Sequence, residues 1–167
     1  MIIWIASYPK SGNTWLRSLI SSYYFSKDKF NLSDLKKIPN FSVSDFINDS
    51  LLLQNGVDVA KQWLNVQKEI NKNYKKTLFF KTHNACVAIN KNLFTDSDNT
   101  AGCIYVVRDP RNIITSYKNF EKKTYEEILN HMKNKEAFLF SEKKTGFKSF
   151  EFIGSWADNY NSWFHNK

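Results

Sequence analysis

Cysteine, proline and glycine are all scarce in this 167-residue chain: two, three and five residues respectively. Two cysteines, Cys86 and Cys103, exclude a disulfide-stapled scaffold, and no Cys/His spacing has the pattern of a zinc site. No metal site is expected. No apolar run approaches the ~18–20 residues that cross a bilayer. The first residues enter an apolar run at once, which predicts no secretory leader, so a cytoplasmic setting is expected. There is no arginine-rich run or basic tail, and lysines cluster only in doublets such as Lys36-Lys37 and Lys75-Lys76. No repeat, low-complexity stretch or interdomain linker is present, so residues 1–167 read as a single domain.

What the chain does have is charge and aromatic mass. The net charge is +8 and the aromatic content 16%. A basic balance favours anionic partners: nucleic acid, membrane surface or phosphorylated small molecules. The scatter of the lysines disfavours nucleic acid, and most of the tryptophans and tyrosines fall in helical stripes that suit a core.

The chain is organised around Tyr8-Pro9-Lys10-Ser11-Gly12-Asn13-Thr14-Trp15. Ile2 to Ala6 before it is unbroken apolar sequence, as in a central strand of a parallel sheet. Behind it, Trp15, Leu16, Leu19, Ile20, Tyr23 and Tyr24 fall on one helical stripe. Small and polar residues therefore occupy a helix start, where N–H groups lack internal partners and the helix dipole is positive. Lys10 adds a charge beside that point. The physical reading is a phosphate-binding loop. It is not Walker A, because Lys10 precedes Gly12 and no earlier glycine exists. On this loop alone, an ordinary strand–helix turn with a lysine in it is an equal alternative.

Residues 26–53 read as a long connection with short helical pieces at Ser33-Asp34 and Ser44-Asp45. Asp58 reads as the cap of a helix running to about Asn73. Thr77 to Phe80 is a second strand, ending in Lys81-Thr82-His83, and Cys103 to Val107 a third, ending in Arg108-Asp109-Pro110. Asp109 should cap the helix that follows, with Ile113, Ile114, Tyr117 and Phe120 as its buried stripe. Thr124 to Glu127 is a capping box. Residues 134–149 read as mostly polar, with one apolar patch from Ala137 to Phe140, and Phe150, Ile153, Trp156, Tyr160, Trp163 and Phe164 read as a last helical stripe. Strand–helix alternation predicts an α/β fold: a P-loop-type parallel sheet flanked by helices in three α/β/α layers. Parallel strands would bring Lys10 to Thr14, Lys81 with His83, and Arg108 with Ser116 to one sheet edge, where such folds bind ligands.

At this point the sequence resembles the cytosolic-type sulfotransferases, which use 3'-phosphoadenosine 5'-phosphosulfate (PAPS) as co-substrate. Residues Tyr8 to Trp15 resemble their 5'-phosphosulfate loop, and Phe80-Lys81-Thr82-His83 their catalytic strand end. Tyr105 to Asn112, continuing to Ser116-Tyr117, resembles their 3'-phosphate motif, and Gly154-Ser155-Trp156 the start of a later helix. The resemblance implies Lys10, Lys81 and His83 as catalytic residues, with Lys10 at the leaving oxygen, Lys81 on the transferring group and His83 as general base. It implies donor contacts from Lys10, Ser11, Gly12, Asn13, Thr14, Trp15, Arg108 and Ser116: the loop on the 5'-phosphate, Trp15 against adenine, and Arg108 with Ser116 on the 3'-phosphate. The acceptor would be a small molecule bearing a hydroxyl or amine. Neither metal, nucleic acid nor membrane is implied.

Asp109 stands where the family commonly has asparagine, and the family's later arginine–lysine–glycine loop has no counterpart here. The resemblance therefore covers the N-terminal part of the family domain, and the fold is expected to be incomplete at its C-terminus. Alternatives are a P-loop kinase or NTPase, a non-catalytic nucleotide-binding fragment, or a basic nucleic-acid module. The aromatic residues within 41–46 and 138–140 either line an acceptor pocket or pack.

Overall fold

The structure, a computed structural model, describes residues 1–26, 31–47, 53–143 and 146–165, leaving aside the side chains of 142–143, 146–148 and 165. In chain order the elements are β1 (Ile2–Ser7), α1 (Asn13–Phe25), α2 (Gly56–Asn73), β2 (Leu78–Thr82), β3 (Ala88–Ile89), β4 (Asn92–Leu93) and β5 (Thr100–Val106). They continue with α3 (Pro110–Glu121), α4 (Tyr125–Lys133), β6 (Phe138–Lys143), β7 (Gly146–Phe152) and α5 (Trp156–His165).

The sheet has the order β2-β1-β5, all parallel. The apolar run of β1 is central, as its sequence requires, since a strand covered on both faces has no polar side to show. Its side chains alternate between faces. Ile2 and Trp4 meet Phe80 of β2 and Val59, Trp63, Val66 and Ile70 of α2. Phe79 points the other way and meets Tyr24 of α1 at 5.9 Å between ring centroids. Helices therefore flank the sheet on both faces. Trp4, Phe41, Trp63 and Phe94 form an aromatic centre with centroids 5.0–5.9 Å apart, Trp4 and Phe94 tilted and the other pairs edge to face, a geometry favoured by the ring quadrupoles. A second cluster joins Tyr8, Ile113, Tyr117, Ile128, Met132, Ala137 and Ile153.

Register fixes the functional edge. Ala6 of β1 sits beside Thr82 on one side and Tyr105 on the other. The residues just beyond these positions are Lys10, His83 and Arg108. The connection after α1 is partly pinned: Lys81 N–H donates to Pro39 O and Phe41 N–H to Lys81 O, extending the sheet by a parallel bridge at Asn40. Residues 32–37 and 43–45 form 3-10 turns near the expected places, and the rest of that connection, 27–30 and 48–52, lies outside the described residues.

Four local expectations are corrected. The cap of α2 is Asn55, whose Oδ1 accepts from Val57 and Asp58 N–H; Asp58 lies inside the helix. Starting at Gly56 leaves room for the Phe150 ring, which a Cβ there would overlap. The stripe on α1 is largely exposed, with Trp15 70% and Tyr23 81% accessible, while Asn13 and Ser21 are its buried residues. Phe120 leaves the α3 core and stands 67% exposed. Strands β6 and β7 pair antiparallel, so Phe150 belongs to β7 and the last helix starts only at Trp156. Strand alternation and helical spacing coincide over so short an apolar run, and only the cross-strand partners separate them. Among the described residues no helix is long and apolar enough to cross a membrane.

Candidate active site

A cleft of about 790 Å³ opens at the carboxyl edge of the sheet. The first loop, Lys81, His83, Arg108, Ser116, Phe120 and Leu139 line it. The loop's shape follows from its backbone. Lys10 has φ 66° and Gly12 φ 103°, both left-handed. A Cβ on Gly12 would meet nothing, so glycine is needed there for its dihedral alone. The first helical bond of α1 runs from Leu16 N–H to Gly12 O. The N–H groups of Gly12, Asn13, Thr14 and Trp15 come before that bond and find no acceptor among the described residues. The Ser11 hydroxyl is buried and also lacks a partner. Gly12 supplies no side-chain cap, so the free N–H groups of the cleft-lining residues Gly12 to Trp15 and the helix dipole lie together at the cleft.

The Asn13 amide turns inward, donating to Ile5 O (2.9 Å) and Ser7 Oγ (3.1 Å). The sequence reading aimed this side chain at phosphate; here it ties the loop to β1, and the residue's N–H is what remains at the helix start. Thr14 and Trp15 are exposed at the cleft. The Lys10 ammonium sits 4.0 Å from the Phe120 ring centroid, a cation–π contact. Arg108 donates from Nη1 to Lys10 O at 3.1 Å, tying the end of β5 to the loop. Arg108 is one of three arginines in the chain. Asp109 caps α3 as expected and is occupied by Arg111, which holds its carboxyl down to about 2. Its charge is thus directed at Arg111 and the helix start.

The His83 end is more enclosed. His83 Nδ1 lies 2.7 Å from Ser7 O. A carbonyl only accepts, so Nδ1 carries the proton and the neutral ring keeps its lone pair on Nε2. Nε2 has no partner among the described residues. Burial lowers the His83 pKa to about 4, with the Lys81 charge pushing the same way. The ring is therefore neutral at pH 7. Glu151 of β7 is 6% exposed. Its carboxylate accepts from Lys81 Nζ (3.3 Å to each oxygen) and from His83 N–H (2.7 Å). Asn159 of α5 donates to His83 O (3.0 Å) and Ile153 O (2.8 Å) and accepts from the Tyr105 hydroxyl (2.8 Å).

The edge thus gathers Lys10, Gly12 to Trp15, Lys81, His83, Arg108 and Ser116 around one cleft, while Ser11 is buried and is not part of its lining. Residues 2–167 match the family model described as the sulfotransferase domain. The chain belongs to the sulfotransferase domain family. Comparison with curated proteins gave no match. A sulfotransferase-family edge explains why two strand ends and a loop, each weak as a motif, lie together. Ser7, Glu151 and Asn159 escaped the sequence reading. A lone acid within the apolar alternation Phe150-Glu151-Phe152 was the available signal, since such an acid is buried only with a partner. Ser7 and Asn159 carry no comparable mark. Among the described residues no group of three or more His, Cys, Asp or Glu is placed to hold a metal.

Proposed function

We propose that this sulfotransferase-family chain transfers a sulfuryl group from PAPS to a hydroxyl or amine of a small-molecule acceptor, with His83 as general base. The observation that carries the reading is the His83 ring, fixed by Ser7 O with its Nε2 lone pair turned loose beside the loop and Lys81. The unpartnered N–H groups, the orphaned Ser11 hydroxyl and the cationic Lys10, Lys81 and Arg108 fit a donor of several negative charges. When bound, PAPS supplies the sulfuryl group and departs as adenosine 3',5'-bisphosphate.

The roles follow from placement. The N–H groups of Gly12 to Trp15 hold the 5'-phosphate, and Arg108 with Ser116 the 3'-phosphate. Trp15, exposed at the rim, offers a face to adenine. Lys81 stabilises charge on the transferring group and Lys10 on the leaving oxygen. His83 Nε2 takes the acceptor's proton as the new bond to sulfur forms. Catalysis is then mostly positioning and charge, as in phosphoryl transfer. The test is release of adenosine 3',5'-bisphosphate from PAPS across a panel of phenols, alcohols, amines and sugars, without magnesium. His83→Ala should cut turnover by about 10²–10⁴-fold and leave donor binding intact. Wild-type turnover that survives in His83→Ala, or that needs magnesium, contradicts the reading.

A further inference from the structure

We propose that Glu151 is a positioning residue for this transfer, holding Lys81 charged and in place at the cleft and fixing the backbone that carries His83. The inference rests on the sulfotransferase reading of the same site.

Glu151 lies 70 residues from Lys81 and 68 from His83 in sequence, yet its carboxylate meets both. Each oxygen stands 3.3 Å from Lys81 Nζ, and Oε1 also accepts the His83 N–H. Both side chains of the ion pair are nearly closed to solvent, 12% accessible for Lys81 and 8% for Glu151. An ammonium buried alone sheds its proton, because the low-dielectric surroundings penalise the charge. A carboxylate in contact with it restores the charged form.

The β6–β7 pair is what delivers this group. Glu151 pairs with Leu139 across the β6–β7 ladder, and Leu139 lines the cleft. Phe150 and Phe152, the neighbours of Glu151, pack against the aromatic core and turn to the opposite face. A one-residue slip would exchange the carboxylate for a phenyl ring. The titratable groups around Lys81 come from three elements: the charged Glu151 on β7 and Arg17 on α1, and the neutral His83 at the end of β2. Arg17 is itself held by the carbonyls of Leu35 and Ile38. Burial lowers the Lys81 pKa and Arg17 adds to the lowering, while Glu151 opposes both. Glu151 itself stays ionised. Burial raises its pKa, but the Lys81 charge and the hydrogen bonds from His83 N–H and Lys81 lower it further. Neutralising it leaves the Lys81 charge opposed by burial and by Arg17 with no carboxylate to offset them, so Lys81 gives up its proton at lower pH.

The test uses the full chain with Glu151→Gln, which keeps an oxygen for the His83 N–H and removes the charge. Lysine labelled with ¹³C at Cε, with the Lys81 resonance assigned by its loss in Lys81→Arg, reads the ammonium directly. The Lys81 midpoint should fall by about one pH unit or more. Turnover should fall about 10–100-fold, as for loss of a site electrostatic contact. The alkaline limb of the rate profile should move down with the Lys81 midpoint, and binding of adenosine 3',5'-bisphosphate should stay within about threefold of wild type. Glu151→Asp, which keeps the charge, should restore the limb in part.

An unchanged Lys81 midpoint in Glu151→Gln overturns the proposal, as does a variant that loses only thermal stability. If Glu151→Gln fails to fold, Glu151→Asp decides: wild-type turnover with a shifted Lys81 midpoint contradicts the coupling of charge to rate. Absence of wild-type turnover with every acceptor strikes the sulfotransferase reading instead, since the Lys81 titration needs no substrate.

Discussion

The loop from Lys10 to Trp15 and the end around His83, the proposed base, share one sheet edge but are assembled over different distances in the chain. The loop is local: a strand, five residues and a helix start make it, and its chemistry comes from backbone N–H groups. The base end is long-range. Ser7 lies 76 residues from His83, and Glu151 lies 68 away; the Ser7 carbonyl of β1 and side chains from β7 and α5 converge on it. The loop is open and polar, whereas the base end is enclosed enough to drop a histidine to about 4. A backbone site needs only dihedrals, so its side chains can vary except where, as at Gly12, the dihedral itself demands glycine. A side-chain site depends on every element that carries a partner.

The largest effect that sharpens this contrast is on stability against pH. His83 has a folded pKa near 4, below its unfolded value of 6.5. Between those values the unfolded chain binds more protons. The contribution is complete above pH 6.5 and is lost as pH falls towards 4, amounting to about 3 kcal/mol at most. His131, lowered by burial, adds in the same direction. Urea unfolding at pH 7, 5.5 and 4.5 should show wild type losing more than His83→Gln, and parallel curves for the two proteins would contradict the burial of the base.

Legibility in the sequence divides along the same line. The strand–loop–helix, the third strand end and the Asp109 cap could be read because their signals are local: an apolar run, a helix start, an Asp-Pro step. The parallel α/β arrangement followed from their alternation. The β6–β7 pair and its Glu151 were hidden, because residues 134–149 look polar and Phe150 to Phe164 mimic a helical stripe. The inward turn of Asn13 was equally hidden, since an asparagine at a helix start serves a phosphate or its own strand with the same spacing.

A smaller effect breaks the base end from a distance. Asn159→Ala removes two donors and one acceptor from His83 O, Ile153 O and the Tyr105 hydroxyl. It should cost about 2–3 kcal/mol in stability and shift the His83 titration seen by NMR. The loop should be untouched, with adenosine 3',5'-bisphosphate affinity changing by about threefold or less once folding is accounted for. Equal damage to donor affinity would mean that the two ends are one unit.

The smallest effect tests the tie between them. Arg108→Lys keeps the charge but loses the planar fork, so affinity for adenosine 3',5'-bisphosphate should drop about tenfold, near 1.4 kcal/mol. Affinity for 5'-ADP, which lacks the 3'-phosphate, should hardly change. An equal loss for both nucleotides would remove Arg108 from the 3'-phosphate.

The most direct measurement is calorimetric titration of the wild-type chain with adenosine 3',5'-bisphosphate and, separately, 5'-ADP, both without magnesium. If the loop and the Arg108 strand end form one donor site, the bisphosphate binds with clear preference for its 3'-phosphate. Equal affinity for the two nucleotides, or binding that appears only with magnesium, would contradict that assignment.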